Sequence, residues 1–159
     1  MKRLYVARHG RVDYSGDYNR QLSLEGIQDA HSIAEQLRRD GFTPAGIIMS
    51  SVAPRALDTA QIVRQDLRVP TLVSSSFVTR AGEYPQLIRD LWDFIGTILT
   101  ACEVDHAVQD VAVITHLPLM GAIAGDQQLQ HGHAYNVPEG WRNPLYVEYS
   151  ESLPPHPEP

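Results

Sequence analysis

A chain of 159 residues fits one domain with a sizeable core, and its 43% hydrophobic and 20% charged content exclude wholesale disorder. The formal charge of -6 excludes a protein built to coat nucleic acid or an anionic membrane, and no run is apolar for long enough to cross a bilayer. Cys102 is the single cysteine, which rules out an internal disulfide and a cysteine-rich metal cluster.

The start, Met1-Lys2-Arg3-Leu4-Tyr5-Val6-Ala7-Arg8, turns polar too soon for a signal peptide, so a cytoplasmic location is expected. Leu4 to Ala7 reads as a buried first strand and the polar stretch Gly10 to Gln21 as a loop. Ser23 caps a predicted helix whose apolar face holds Ile27, Ala30, Ile33, Ala34 and Leu37, with Gly41 as its stop. Gly46 to Ser50 reads as a second strand. Pro54 opens a second helix carrying Ala56, Leu57, Ala60, Ile62, Val63 and Leu67.

Pro70 to Val73 is a predicted third strand, followed by loop from Ser74 to Glu83 and a helix opened by Pro85 and packed through Leu87 to Leu99. Trp92 and Phe94 read as packing residues of that helix. Val111 to Ile114 is the most β-like run, and a short helix from Pro118 to about Gly125 follows it. Gln127 to Pro144 reads as a long loop, Leu145 to Tyr149 as a final edge strand. Residues 1–150 are thus expected as one domain and 151–159 as an extended proline-rich tail.

Alternating strands and helices predict an α/β fold, a three-layer α/β/α sandwich with a mainly parallel sheet. In such sheets the site lies beyond the carboxyl ends of the strands. That rule selects Arg8 and His9, Ser50 to Arg55, and Thr115 and His116, a cationic set in an acidic chain. A neutral imidazole attacks phosphorus, and Gly10 after His9 leaves room for close approach and permits a sharp turn out of the strand. Arg8 and Arg55 suit the non-bridging oxygens through charge-assisted hydrogen bonds, and His116 suits another oxygen. Arg55 stands at a helix start, where a cation makes sense if an anion visits. The pair His131 and His133 invites a metal reading, but no carboxylate or cysteine lies at a fitting spacing, and neither a metal nor an organic cofactor is expected.

Three blocks, Arg8-His9-Gly10, Ser50-Ser51-Val52-Ala53-Pro54-Arg55-Ala56-Leu57-Asp58-Thr59-Ala60 and Ile114-Thr115-His116, resemble in order and spacing the histidine phosphatase superfamily, which includes the phosphoglycerate mutases. Within it, Val113-Ile114-Thr115-His116-Leu117-Pro118-Leu119-Met120-Gly121 looks most like the short phosphohistidine phosphatases of the SixA type. Asp17 to Ser23 resembles that group's Arg-Pro-Leu-Thr segment with Gln21 in place of proline, which implies a further phosphate contact from Arg20. The resemblance covers roughly residues 1–125 and implies a phosphoglycerate mutase-like fold.

That resemblance implies a phosphatase that forms a covalent phosphohistidine on His9 and hydrolyses protein phosphohistidine. The chain is too short for the large helical insertion that covers the mutase site, and an open site suits a protein-borne substrate. A phosphate ester needs a general acid for its leaving alkoxide, and Glu83 is the candidate; an imidazole leaves more readily. The alternatives are a phosphomonoesterase acting on a small phosphorylated metabolite with Glu83 essential, and a phosphate-binding interaction module without turnover. Protonation of His9 predicts a falling acidic limb in the rate profile.

Overall fold

A computed structural model describes residues 3–13, 21–75, 110–116 and 130–137. The described elements are strand β1 (Arg3–Arg8), helix α1 (Leu24–Arg39), β2 (Ile47–Ser51), helix α2 (Pro54–Leu67), β3 (Thr71–Ser75), β4 (Asp110–Thr115) and β5 (Ala134–Asn136). The predicted helices at 85–99 and 118–125, the strand at 145–149, the tail, Trp92 and Phe94 lie outside the described residues.

The strands form one sheet in the order β3-β2-β4-β1-β5. β3, β2, β4 and β1 run parallel, and β5 pairs antiparallel with β1. The fold is α/β with a mainly parallel sheet, as expected. Two boundaries differ from expectation. β3 extends to Ser75, into the stretch expected as loop, and β5 lies inside the 127–144 segment expected as loop throughout. Three residues of mixed polarity give too short a pattern to read; backbone pairing with the edge of β1 makes β5 a strand.

Alternation along the strands assigns two faces. Tyr5, Ala7, Ile48, Ala112 and Ile114 pack with Ala30, Ile33, Ala34 and Leu37 of α1 and with Ala56, Ala60 and Val63 of α2. Leu4, Val6, Ile47, Met49, Val111 and Val113 are equally buried. Both faces of the sheet are therefore covered, as parallel strands require.

Local chemistry sets the helix ends. The Ser23 side chain accepts from the Gly26 N–H, and Pro54 occupies the first turn of α2. At the amino ends of β1 and β4, Arg3 grips the fully buried Asp110 with two hydrogen bonds of 2.7 and 3.0 Å. The same guanidinium reaches the Asp40 and Gly41 carbonyls at the end of α1. That end of the sheet is tied by charge, leaving the carboxyl end for chemistry.

Candidate active site

β4 lies between β1 and β2, so the carboxyl ends of three adjacent strands meet. Arg8 registers with Thr115 and Ser50 with Ile114, which puts His9, Ser51 and His116 at one rim. The first turn of α2 adds Arg55. Arg8, His9, Arg55 and His116, selected from the sequence, thus converge.

His9 is fixed from its backbone outward. Its N–H donates to the Thr115 carbonyl at 2.9 Å. The Gly10 N–H donates to Thr59 Oγ1 at 2.9 Å, and that hydroxyl donates to the Arg55 carbonyl at 2.7 Å. The His9 ring is paired through Nδ1 with the Gly10 carbonyl at 2.7 Å. A carbonyl only accepts, so Nδ1 carries the proton and Nε2 carries the lone pair. Arg55 Nε donates to that Nε2 across 3.4 Å.

The same logic assigns the tautomer of His116. Arg55 Nη2 stands 3.4 Å from His116 Nδ1, and a guanidinium only donates, so Nδ1 accepts. His116 Nε2 then donates to Ser51 Oγ at 2.8 Å. Ser51 Oγ also accepts from the Ala53 N–H at 3.1 Å, which helps to organise the start of α2. The His9 and His116 rings lie edge to face with centroids 5.2 Å apart.

Burial lowers the His9 pKa to about 4, the bond to Gly10 opposes this, and the charges of His116, Arg55 and Arg8 add to the depression. Burial likewise lowers His116 to about 4, with Arg55 and then Arg8 contributing. Both imidazoles are therefore neutral at pH 7. His9 keeps 8% of its surface accessible. Among the described residues, the buried Nε of Arg8 has no hydrogen-bond partner. A buried orphan donor is costly, and an anion entering beside His9 would satisfy it.

A cleft of about 630 Å³ reaches Arg8 and His9 from the side of α1, lined also by Arg11, Asp13, Glu25 and His131. Arg11 and Asp13 stand at the rim of this cleft. Buried Asp29 holds Arg11 by three bonds of 2.9 to 3.0 Å, from its N–H, Nε and Nη2. Burial pushes the Asp29 carboxyl up, but these bonds outweigh it and leave the pKa below the ordinary value. Arg20 and Glu83 lie outside the described residues.

Three contributors carry no separate role in the sequence reading: Ser51, Thr59 and His131. The first two stand inside the Ser50–Ala60 block, Ser51 at the end of β2 and Thr59 in α2. His131, weighed there only as a metal ligand, pairs through Nδ1 with the His9 carbonyl at 3.0 Å.

The sequence profile described as "Histidine phosphatase superfamily (branch 1)" matches residues 4–84. No curated protein matches the sequence. Among solved structures, the protein histidine phosphatase SixA complexed with tungstate is similar at 18% identity and a TM-score of 0.59, covering 85% of this chain and 96% of that one. A phosphoserine phosphatase from Entamoeba histolytica in complex with 3-phosphoglyceric acid is 19% identical with a TM-score of 0.56, covering 86% and 90%. A mycobacterial glucosyl-3-phosphoglycerate phosphatase is 21% identical with a TM-score of 0.55, covering 89% and 84%. These likenesses concern the fold. With its profile match spanning half of the sequence and its strand order carrying the motif residues to one rim, the chain belongs to the histidine phosphatase superfamily.

Proposed function

We propose that the protein is a phosphatase that hydrolyses phosphohistidine on a phosphorylated protein domain, with His9 as nucleophile. One observation carries this reading. The His9 Nε2 lone pair, on a ring neutral at pH 7, faces an Arg55 donor, and His9 shares its cleft with Arg8, whose buried Nε has no partner among the described residues.

His9 Nε2 attacks the phosphorus and the bond to the substrate imidazole breaks, its electron pair leaving with that ring. Arg8 and Arg55 balance the charge on the non-bridging oxygens, where most of the catalytic stabilisation of phosphoryl transfer resides. Arg20 adds a third guanidinium. As the anion enters, it favours the protonated form of His116, which then donates to an oxygen from Nδ1. Water next cleaves the phosphorus–nitrogen bond at His9, releasing phosphate and restoring the imidazole. Gly10 lets the chain leaving His9 pack against the first turn of α1. No step calls for a metal or an organic cofactor.

The preference for a phosphoramidate rests on the His116-Leu117-Pro118-Leu119 block and on the weaker need of a departing imidazole for an acid. A second reading, a small phosphate ester with Glu83 as general acid, is favoured by the fold likeness to two small-ester phosphatases. Incubation with a phosphohistidine protein and with a panel of small esters separates them. Turnover of the phosphoprotein supports the first reading, and turnover of esters alone overturns it. Glu83→Gln should abolish ester hydrolysis while sparing a phosphoramidate. Rapid quench with labelled substrate should trap phosphate on His9; no label with any substrate leaves a phosphate-binding module.

A further inference from the structure

We propose that His131 is a positioning residue for His9, acting through the peptide unit that joins His9 to Gly10. This inference rests on the reading of His9 as nucleophile, and it starts from a topological fact. β5 runs antiparallel beside β1, with Ala134 opposite Ala7, so the turn before β5 arrives where β1 ends. The parallel strands bring their ends to the site, whereas β5 brings its beginning. Gly132, at φ 77°, closes that turn against Asp29 and Ser32 of α1.

His131 Nδ1 donates to the His9 carbonyl at 3.0 Å, because a carbonyl can only accept. The N–H of the same peptide unit donates to Thr59 Oγ1 at 2.9 Å. Both polar atoms of one peptide group are therefore held, one from the β5 side and one from α2. That group sets the direction of the next carbonyl, of Gly10, which accepts from His9 Nδ1 at 2.7 Å. His131 thus acts at a distance on the proton of the nucleophile's ring and on the aim of its Nε2. The His131 and His9 rings also meet edge to face with centroids 6.1 Å apart, so the His9 ring has edge contacts with both His131 and His116.

Substitutions at position 131 separate the two ends of the ring. Asparagine reproduces a donor at Nδ1, whereas glutamine reaches towards Nε2, the end available to substrate in the cleft. In the full chain, His131→Ala should lower kcat by about 10- to 100-fold with KM changed by less than about threefold, the range expected for a misaimed nucleophile. His131→Asn should recover kcat to within about threefold, and His131→Gln should not. Nitrogen NMR of the His9 ring gives a readout that needs no substrate. Wild type and Asn should show one Nδ1–H tautomer, and Ala and Gln should show averaged nitrogen shifts.

An unchanged His9 spectrum in His131→Ala, rescue by Gln rather than Asn, or a change confined to KM overturns the inference. The Asn and Gln variants are compared with each other, so a general loss of stability does not mimic the expected result. Failure of wild type to form a phosphoenzyme would instead overturn the functional reading, while the His9 spectrum still decides the role of His131.

Discussion

The backbones of Gly10 and Gly26 meet without room for a side chain on either. A Cβ on Gly10 would overlap the Gly26 carbonyl group, and a Cβ on Gly26 would overlap that of Arg11. The first turn of α1 thereby abuts the chain leaving His9. Alanine at position 26 gains about 1 kcal/mol of helix preference over glycine. Overlap with main-chain atoms, which cannot rotate away, costs about 1–3 kcal/mol or more. The packing term wins, so Gly26→Ala should lower the free energy of urea unfolding and also reduce kcat, because the relief must come from the segment 9–11.

Thr59→Val keeps the shape of the side chain and removes the hydroxyl that joins the Gly10 N–H to the Arg55 carbonyl. The Gly10 donor is then buried and unpaired, which costs about 1–3 kcal/mol. Denaturant midpoints should fall accordingly. Thr59→Ser should retain most of the stability.

Ser51→Ala removes the acceptor that holds His116 with its proton on Nε2. Arg55 still faces Nδ1 and keeps it an acceptor, so the proton stays on Nε2, but that N–H loses its partner and the ring loses its anchor. Turnover should drop by about 10-fold or more, the range for losing one aligned stabilising group. The Nε2–H signal of His116 should shift and exchange faster with water while Nδ1 stays unprotonated, which stability measurements alone would not reveal.

The pH dependence follows from the two depressed imidazoles. His9 must be neutral to attack, and its pKa stands at about 4 instead of 6.5, so the loss of kcat/KM caused by its protonation should set in only near pH 4. This places the acidic limb below the ordinary histidine range. Stability responds in the wider window. Between pH 6.5 and 4 the unfolded chain binds more protons at these two positions than the folded one, so their contribution is present above 6.5 and is lost as pH falls to 4. Thermal melts across that window check the sign. Added phosphate, a negative charge between the two rings, should shift both titrations upward.

Much of this architecture is written in local patterns. Ser23, Pro54 and the apolar spacing of α1 and α2 fix their starts and their buried faces, and continuous apolar runs fix β1, β2 and β4. The rule of strand carboxyl ends then finds His9, Arg55 and His116 without coordinates. His131 escapes that rule because an antiparallel edge strand reverses which end faces the site, and strand direction is set by pairing, not by composition. Asp29 escapes for a related reason: its spacing puts a carboxylate on the buried side of α1, and only the fold shows that Arg11 reaches it.

The placement of β4 between β1 and β2 carries a consequence for biosynthesis. His9 follows β1 and Arg55 opens the helix after β2, and those two strands share no ladder but are bridged by β4, which begins at Asp110. A nascent chain that has not yet delivered residues 110–115 lacks the central plank on which its reactive groups align. Reactivity towards phosphorylated substrates should therefore emerge abruptly, only once residues 110–115 are available to pair, since contacts of such long sequence separation are slow to form.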